Sequence, residues 1–171
     1  MKYLDTAASV AMLVASLAVI WSVAIAPGNA RPISRVQDYT IGEMWAAGPG
    51  LDLALAPMTL VMYLNTRCKY CDESMPFYRS LGQQAPQIRL VAVGMESTEE
   101  LERYVLEHGF RPAQVLSIRP GTTRLRGTPT LLLIDASARI TGVWLGKLDP
   151  QRELEVAKAL STMIDPQRRG S

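Results

Sequence analysis

Residues 58–72 read Met58-Thr59-Leu60-Val61-Met62-Tyr63-Leu64-Asn65-Thr66-Arg67-Cys68-Lys69-Tyr70-Cys71-Asp72, and this stretch decides the fold. Residues 58–65 form a short, nearly continuous apolar run, the pattern of a strand buried on both faces. The only two cysteines of the chain follow it, three positions apart, where a helix is expected to begin. Residues i and i+3 share a face of a first helical turn, so the two sulfurs fall within bonding reach. A disulfide there closes so short a loop that chain entropy yields only about 2 kcal/mol, against about 3 kcal/mol for a fifteen-residue loop. Such a bond suits cycling better than bracing. The exposed amides of a helix start, with Arg67 and Lys69 beside Cys68, favour thiolate over thiol and make Cys68 the expected nucleophile. Cys71, one turn further in, is the expected resolving thiol, while Asp72 and Glu73 oppose the shift from beyond it.

Working outward, 171 residues suffice for one domain with a substantial core and an additional segment. The segment is residues 7–26, AASVAMLVASLAVIWSVAIA, 20 residues without a charge. That matches the ~20 needed to cross a bilayer core. Small residues at Ala24-Ile25-Ala26 and Gly28-Asn29-Ala30 would suit a cleaved signal, but Pro27 follows the first site and the run exceeds the usual ~7–15-residue signal core. The expectation is a retained single-pass anchor over residues 1–26. Lys2 stands before the span and Arg31 and Arg35 after it, so charge asymmetry does not favour export of the C-terminal part. That part is nevertheless assigned to the periplasm or another extracytoplasmic space. An N-terminal span leading directly into a folded domain is a common export arrangement, and a lone cysteine pair suits an oxidising compartment.

The net charge is +2 with both signs interspersed, which implies no nucleic-acid partner. Residues 27–56, rich in proline and glycine, read as a tether ending in a hairpin or short extended piece packed on the domain edge. Gly48-Pro49-Gly50 lacks the Lys-Ser/Thr and the helix of a phosphate-binding loop. The folded domain is assigned to residues 57–165 and a disordered tail to 166–171. Within the domain, helical spacing over residues 71–84 is interrupted by Pro76, expected to kink or restart the helix. A buried strand follows over 88–94. Ser97-Thr98-Glu99-Glu100 then caps a helix ending at His108-Gly109. A short strand is expected at 115–118, a hairpin from runs 130–135 and 139–145, and a last helix over 149–164 with Leu154, Ala157, Leu160 and Ile164 inward. Strand, helix, strand, helix implies parallel βαβ pairing.

The order strand, Cys-x-x-Cys at a helix start, Pro76 five residues beyond Cys71, then Gly127-Thr128-Pro129-Thr130 opening a hairpin before a last helix resembles the thioredoxin fold. The long gap before Thr128-Pro129 and the apolar span in front make it most similar to the membrane-anchored, TlpA-like thiol-disulfide oxidoreductases. The resemblance covers residues 41–164. It implies an α/β, thioredoxin-like fold, a central mixed sheet flanked by helices, preceded by one N-terminal transmembrane helix. It also implies a cis Pro129 lying against the cysteines, with Thr128 and Pro129 as the substrate-facing wall. The expected activity is disulfide exchange with protein thiols and disulfides outside the cytoplasm, supplied by an upstream electron donor or acceptor. The expected redox group is the Cys68/Cys71 disulfide, with no cofactor.

Two departures bear on tuning. Arg67 stands where many thioredoxins have tryptophan, and Met62 where many have a buried carboxylate. Without that acid, deprotonation of Cys71 falls to water or another group, with Glu73 the nearest candidate. Arg67, Lys69 and Tyr70 are therefore the expected thiol-tuning residues. Zinc is the chemical alternative for a Cys-x-x-Cys pair, but the lone His108 reads as a helix C-terminal residue. A peroxidase reading lacks the Thr-x-x-Cys arrangement, since Thr66 is two residues before Cys68. The non-enzymatic alternative is a tethered interaction module, for which Arg111, Arg119, Arg124 and Arg126 would select acidic partners.

Overall fold

Every residue of Met58–Tyr63 is buried, as a strand needs when it has neighbours on both edges and packing on both faces. In the computed structural model, which describes residues 39–45 and 50–164, this strand (β1) is the middle of a five-stranded sheet. The others are β2 (Arg89–Gly94), β3 (Gln114–Ser117), β4 (Thr130–Asp135) and β5 (Ile140–Leu145), in the order β3-β2-β1-β4-β5. β1 pairs parallel with β2 and antiparallel with β4, β2 pairs parallel with β3, and β4 and β5 form the antiparallel hairpin. The expected mixed sheet is therefore present.

Three helices complete the fold: α1 (Lys69–Gln84), α2 (Thr98–Glu107) and α3 (Pro150–Ile164). β1 alternates its side chains, so Leu60, Met62 and Leu64 pack with Met75, Tyr78 and Leu81 of α1, Leu101 and Val105 of α2 and Val156 and Leu160 of α3. Val61 and Tyr63 point the other way, into a second cluster with Val91, Val93, Leu132 and Ile134 that contains no residue of these helices. That face is covered instead by Tyr39, Trp45, Leu53 and Leu125. Residues 39–45 turn at Ile41-Gly42, where Glu43 N–H donates to Thr40 O and Gly42 has φ +95°, and lie against the start of β5: Gly42 N–H donates to Ile140 O, Ile140 N–H to Glu43 O and Trp45 N–H to Ala138 O. Leu53–Leu55 is a 3-10 turn rather than an extended run, with the Asp52 side chain accepting from Ala54 N–H.

Local chemistry fixes the ends. Ser97 Oγ accepts from Glu100 N–H at the start of α2. At its end Phe110 N–H reaches Val105 O and Gly109 N–H reaches Leu106 O, with Gly109 at φ +66°. These two bonds form a Schellman close, which needs the left-handed conformation at Gly109. Two expectations are corrected. α1 runs as a single helix through Pro76, with no restart. On α3, Leu154 is 70% exposed, and Val156 and Leu160 carry the burial. These two are four residues apart and stack on one face, a pairing the 154–157–160 spacing passes over. β3 lies one residue earlier than expected, and the segment from 118 to 129 contains neither helix nor strand. Residues 1–38, hence the proposed span and the first part of the tether, lie outside the described residues, as do 46–49 and the tail 166–171. Among the described residues no helix is long and apolar enough to cross a membrane.

Candidate active site

The pairing of Tyr63 with Thr130 brings the loop after β1 against the turn that opens β4. In that loop Cys68 N–H donates to Asn65 O and Arg67 N–H to Asn65 Oδ1. Cys68 then takes extended backbone angles as the N-cap of α1 and offers no side-chain cap, which leaves its sulfur free for chemistry. Its carbonyl accepts from Cys71 N–H and Asp72 N–H, closing the first turn. Both cysteines are free thiols here, Cys68 half-buried and Cys71 wholly buried in the first core cluster. The Thr128-Pro129 bond is cis, and Thr128 O lies 3.4 Å from Cys68 Sγ. Pro129 O accepts from Gly146 N–H and Thr130 Oγ1 donates to Gly127 O, which fix this turn on both sides.

The two thiols are driven apart in acidity. Burial raises Cys68, but hydrogen bonds from the Thr128 side chain, from the Cys71 thiol and from the Cys71 and Tyr70 backbone outweigh it, so its pKa falls below the usual thiol range. Thr128 acts both ways, since its carbonyl is also placed to accept from the protonated thiol. Cys71 is pushed up to about 12, first by burial, then by its hydrogen bond to Cys68 and by the Cys68 charge; the Asn65 backbone and Thr128 oppose this. One thiol is thus poised to ionise at the surface while its partner keeps its proton beneath.

Among the expected tuning residues, Lys69 turns its ammonium to Glu73, 3.6 Å away, and Tyr70 stands 58% exposed between the cysteines. The principal acidifying contacts on Cys68 are hydrogen bonds rather than the flanking Arg67 and Lys69 cations. Glu73, the nearest candidate base for Cys71, is held elsewhere: Lys147 Nζ donates to its Oε2, and this bond first, then the Lys147 and Lys69 charges, keep its carboxyl below the usual range. Met62 is fully buried under α1. The His108 ring packs against Tyr104 at a tilt of 52°, with ring centroids 4.6 Å apart, and its Nε2 lies 3.5 Å from Asp72 Oδ1. Among the described residues no group of three His, Cys, Asp or Glu is arranged to hold a metal ion.

Three contacts were not legible in the sequence. Glu96, just past β2, folds back so that its Oε1 accepts from Thr66 N–H at 2.9 Å and lies 3.3 Å from Thr66 Oγ1. Glu100 Oε1 lies 3.2 Å from the same hydroxyl. Tyr104 OH donates to Asp72 Oδ1 at 2.7 Å, and its own pKa is raised by burial and by that carboxylate. These contacts tie the loop before Cys68 and the first turn of α1 to α2 and the chain leading into it. Nothing local in Gly94-Met95-Glu96 announces them.

No protein-family model matches the chain, and no curated protein matches it in sequence. Solved structures do match. The thioredoxin domain of a thiol-disulfide oxidoreductase from Bacteroides vulgatus aligns with a TM-score of 0.57 at 16% identity over 71% of this chain and 97% of that one. A thiol-disulfide isomerase from Corynebacterium glutamicum aligns with a TM-score of 0.51 at 19% identity, over 74% and 96%. A thiol:disulfide interchange protein of the thioredoxin family from Chlorobium tepidum aligns with a TM-score of 0.52 at 18% identity, over 63% and 80%. The chain therefore has a thioredoxin-like fold. Its Cys-x-x-Cys pair stands at the start of α1, facing a cis Thr128-Pro129 turn.

Proposed function

We propose that this protein is a thiol-disulfide oxidoreductase, of the membrane-anchored TlpA-like type, working on protein thiols and disulfides outside the cytoplasm. The observation that carries the chemistry is the split pair: an acidified, half-buried Cys68 against Thr128, with a buried, protonated Cys71 behind it. The Cys68 thiolate attacks one sulfur of a substrate disulfide, the substrate S–S bond breaks, and the departing sulfur takes up a proton. Cys71 then loses its proton and attacks Cys68 Sγ, releasing the second substrate thiol. The substrate gains two electrons, and the Cys68/Cys71 pair is left as a disulfide for an upstream donor to reduce. Run in reverse, the oxidised pair gives its disulfide to a substrate and passes electrons to an acceptor.

Thr128 and Pro129 form the wall against which a substrate segment lies, and Tyr70 the exposed apolar contact between the cysteines. The uncharged run at residues 7–26 supports the membrane tether, and an extracytoplasmic domain agrees with a cysteine pair whose chemistry requires disulfide traffic. The test is insulin reduction by the purified protein and its variants. Cys68→Ser abolishes exchange and Cys71→Ser accumulates mixed disulfides. Wild-type rates in both variants would sink the proposal. Compartment reporters fused to the C-terminus test the location, and signal only from a cytoplasm-dependent reporter would reverse it.

A further inference from the structure

The chain between β3 and β4 must pass from the outer edge of the sheet across β2 and β1, and over residues 118–129 it does so without a helix or strand. Its ends are tied by backbone bonds, Ile118 N–H to Gly94 O and Gly146 N–H to Pro129 O, while between them the loop's polar contacts within itself are local: Thr122 Oγ1 donates to Arg119 O, and Leu125 N–H to Thr123 Oγ1. Two consecutive side chains fasten the middle of the loop to the rest of the molecule. Leu125 is buried in the second core cluster with Tyr39 and Trp45. Arg124 donates from Nη2 to Glu43 Oε2 and lays its guanidinium over the Tyr39 ring, 4.4 Å from the centroid. Both partners of Arg124 belong to residues 39–45, and that segment is itself fixed. Its backbone bonds to Ala138 and Ile140, Arg139 Nη1 donates to Gly42 O, and Thr40 N–H donates to Glu43 Oε2. From this anchor the loop runs four residues to Thr128, whose carbonyl is 3.4 Å from Cys68 Sγ.

We infer that Tyr39, Glu43 and Arg124 form a positioning brace through which the segment preceding the domain sets the placement of the substrate-facing Thr128-Pro129 wall. The brace touches neither cysteine; it acts on the surface that receives the substrate. A planar guanidinium suits it, because one group meets a carboxylate in its plane and an aromatic ring on its face. A large substrate that lies against the wall depends on the brace, whereas a small disulfide that needs only the Cys68 sulfur does not. This inference rests on the oxidoreductase reading, and its test separates the two.

Glu43→Gln, Arg124→Gln and the double variant are prepared in the full chain. Three quantities are measured: KM and kcat for insulin, the rate of dithiodipyridine with reduced Cys68, and the reduction potential of the pair against glutathione. Each single variant raises the insulin KM about threefold or more, and the double variant does no worse than either single one, because both remove the same contact. The dithiodipyridine rate and the potential stay at wild-type values. An unchanged insulin KM, or a dithiodipyridine rate that falls in parallel, overturns the brace. If the wild-type protein fails to turn over insulin, the oxidoreductase reading falls by itself. The brace is then decided by amide exchange at Gly127, Thr128 and Thr130, which accelerates in Glu43→Gln if the brace holds the wall and is unchanged if it does not.

Discussion

Gly94→Ala puts the construction of the site to a quantitative test. A Cβ on Gly94 would stand 2.8 Å from Glu96 Oε2, 2.9 Å from Leu101 Cδ2 and 3.2 Å from Leu64 O. The glycine is not in the left-handed region, so alanine meets no backbone penalty and the cost is steric. Leu64 O is main chain at the end of β1, beside the bond from Leu64 N–H to Val93 O, and Leu101 is wholly buried. The carboxylate of Glu96 is the group left to move, and it is the one holding Thr66 N–H. Overpacking of this kind costs about 1–3 kcal/mol, and loosening a hydrogen bond to a charged group adds about 1 kcal/mol or more. Restricting the unfolded chain returns about 0.4–1 kcal/mol. The net expectation is a loss of about 2 kcal/mol, read as a lower midpoint of urea unfolding at unchanged slope. Gly82→Ala, inside α1, is the control: its Cβ makes only a 3.4 Å contact with Leu90 Cδ1 of β2, the end of a flexible side chain, so it gains up to about 1 kcal/mol from helix propensity. With Glu96 displaced, iodoacetamide should also alkylate Cys68 at an altered rate in Gly94→Ala. If Gly94→Ala unfolds within about 0.5 kcal/mol of wild type, which is the scatter of neutral surface changes, the packing argument is refuted.

Three further outcomes follow from the same geometry. The alkylation rate of Cys68 should rise with pH through a midpoint below that of an unperturbed thiol measured alongside, because the thiolate reacts and its hydrogen bonds favour it. Thr128→Val moves that midpoint upward, and an unmoved titration would exclude the Thr128 side chain as a cause. Glu73→Gln should leave the release of a mixed disulfide by Cys71 within about twofold of wild type, since Lys147 and Lys69 hold that carboxylate; a loss of tenfold or more in single-turnover kinetics would restore Glu73 as the base. Leu160→Ala should cost about 2–5 kcal/mol and Leu154→Ala under about 0.5 kcal/mol in chemical unfolding, and a loss from Leu154→Ala as large as that from Leu160→Ala would show that α3 is turned as its 154–157–160 spacing predicts.

What the sequence made legible follows from how local each signal is. β1, β2 and β4 are runs long enough to be buried on both faces, so composition alone marked them, and the Ser97 cap and the Gly109 turn are chemistry within a few residues. The cysteine pair and Thr128-Pro129 stood out as motifs, and the cis bond expected from family resemblance is present. The inward face of α3 was misread because Val156 and Leu154 are both apolar, and only the sheet beneath decides which is buried. Glu96, Tyr104 and the Arg124 brace join positions 30, 32 and 81 residues apart, where no periodicity reaches.

The absence of an acid at Met62 changes how the second thiol is controlled. Burial alone keeps Cys71 protonated to some degree, but two of the contributions that push it up to about 12 come from Cys68: a hydrogen bond and a negative charge. In a mixed disulfide Cys68 has lost its charge and can no longer accept that bond as a thiolate, so both contributions vanish while burial stays. The resolving thiol therefore becomes easier to ionise at the stage that needs it, and it is suppressed while Cys68 is still a free thiolate. The contacts through Asn65 and Thr128, which favour ionised Cys71, then act with less opposition. On this reasoning the order of the two steps is set by the sulfurs themselves, and a dedicated base beneath them is not required for it.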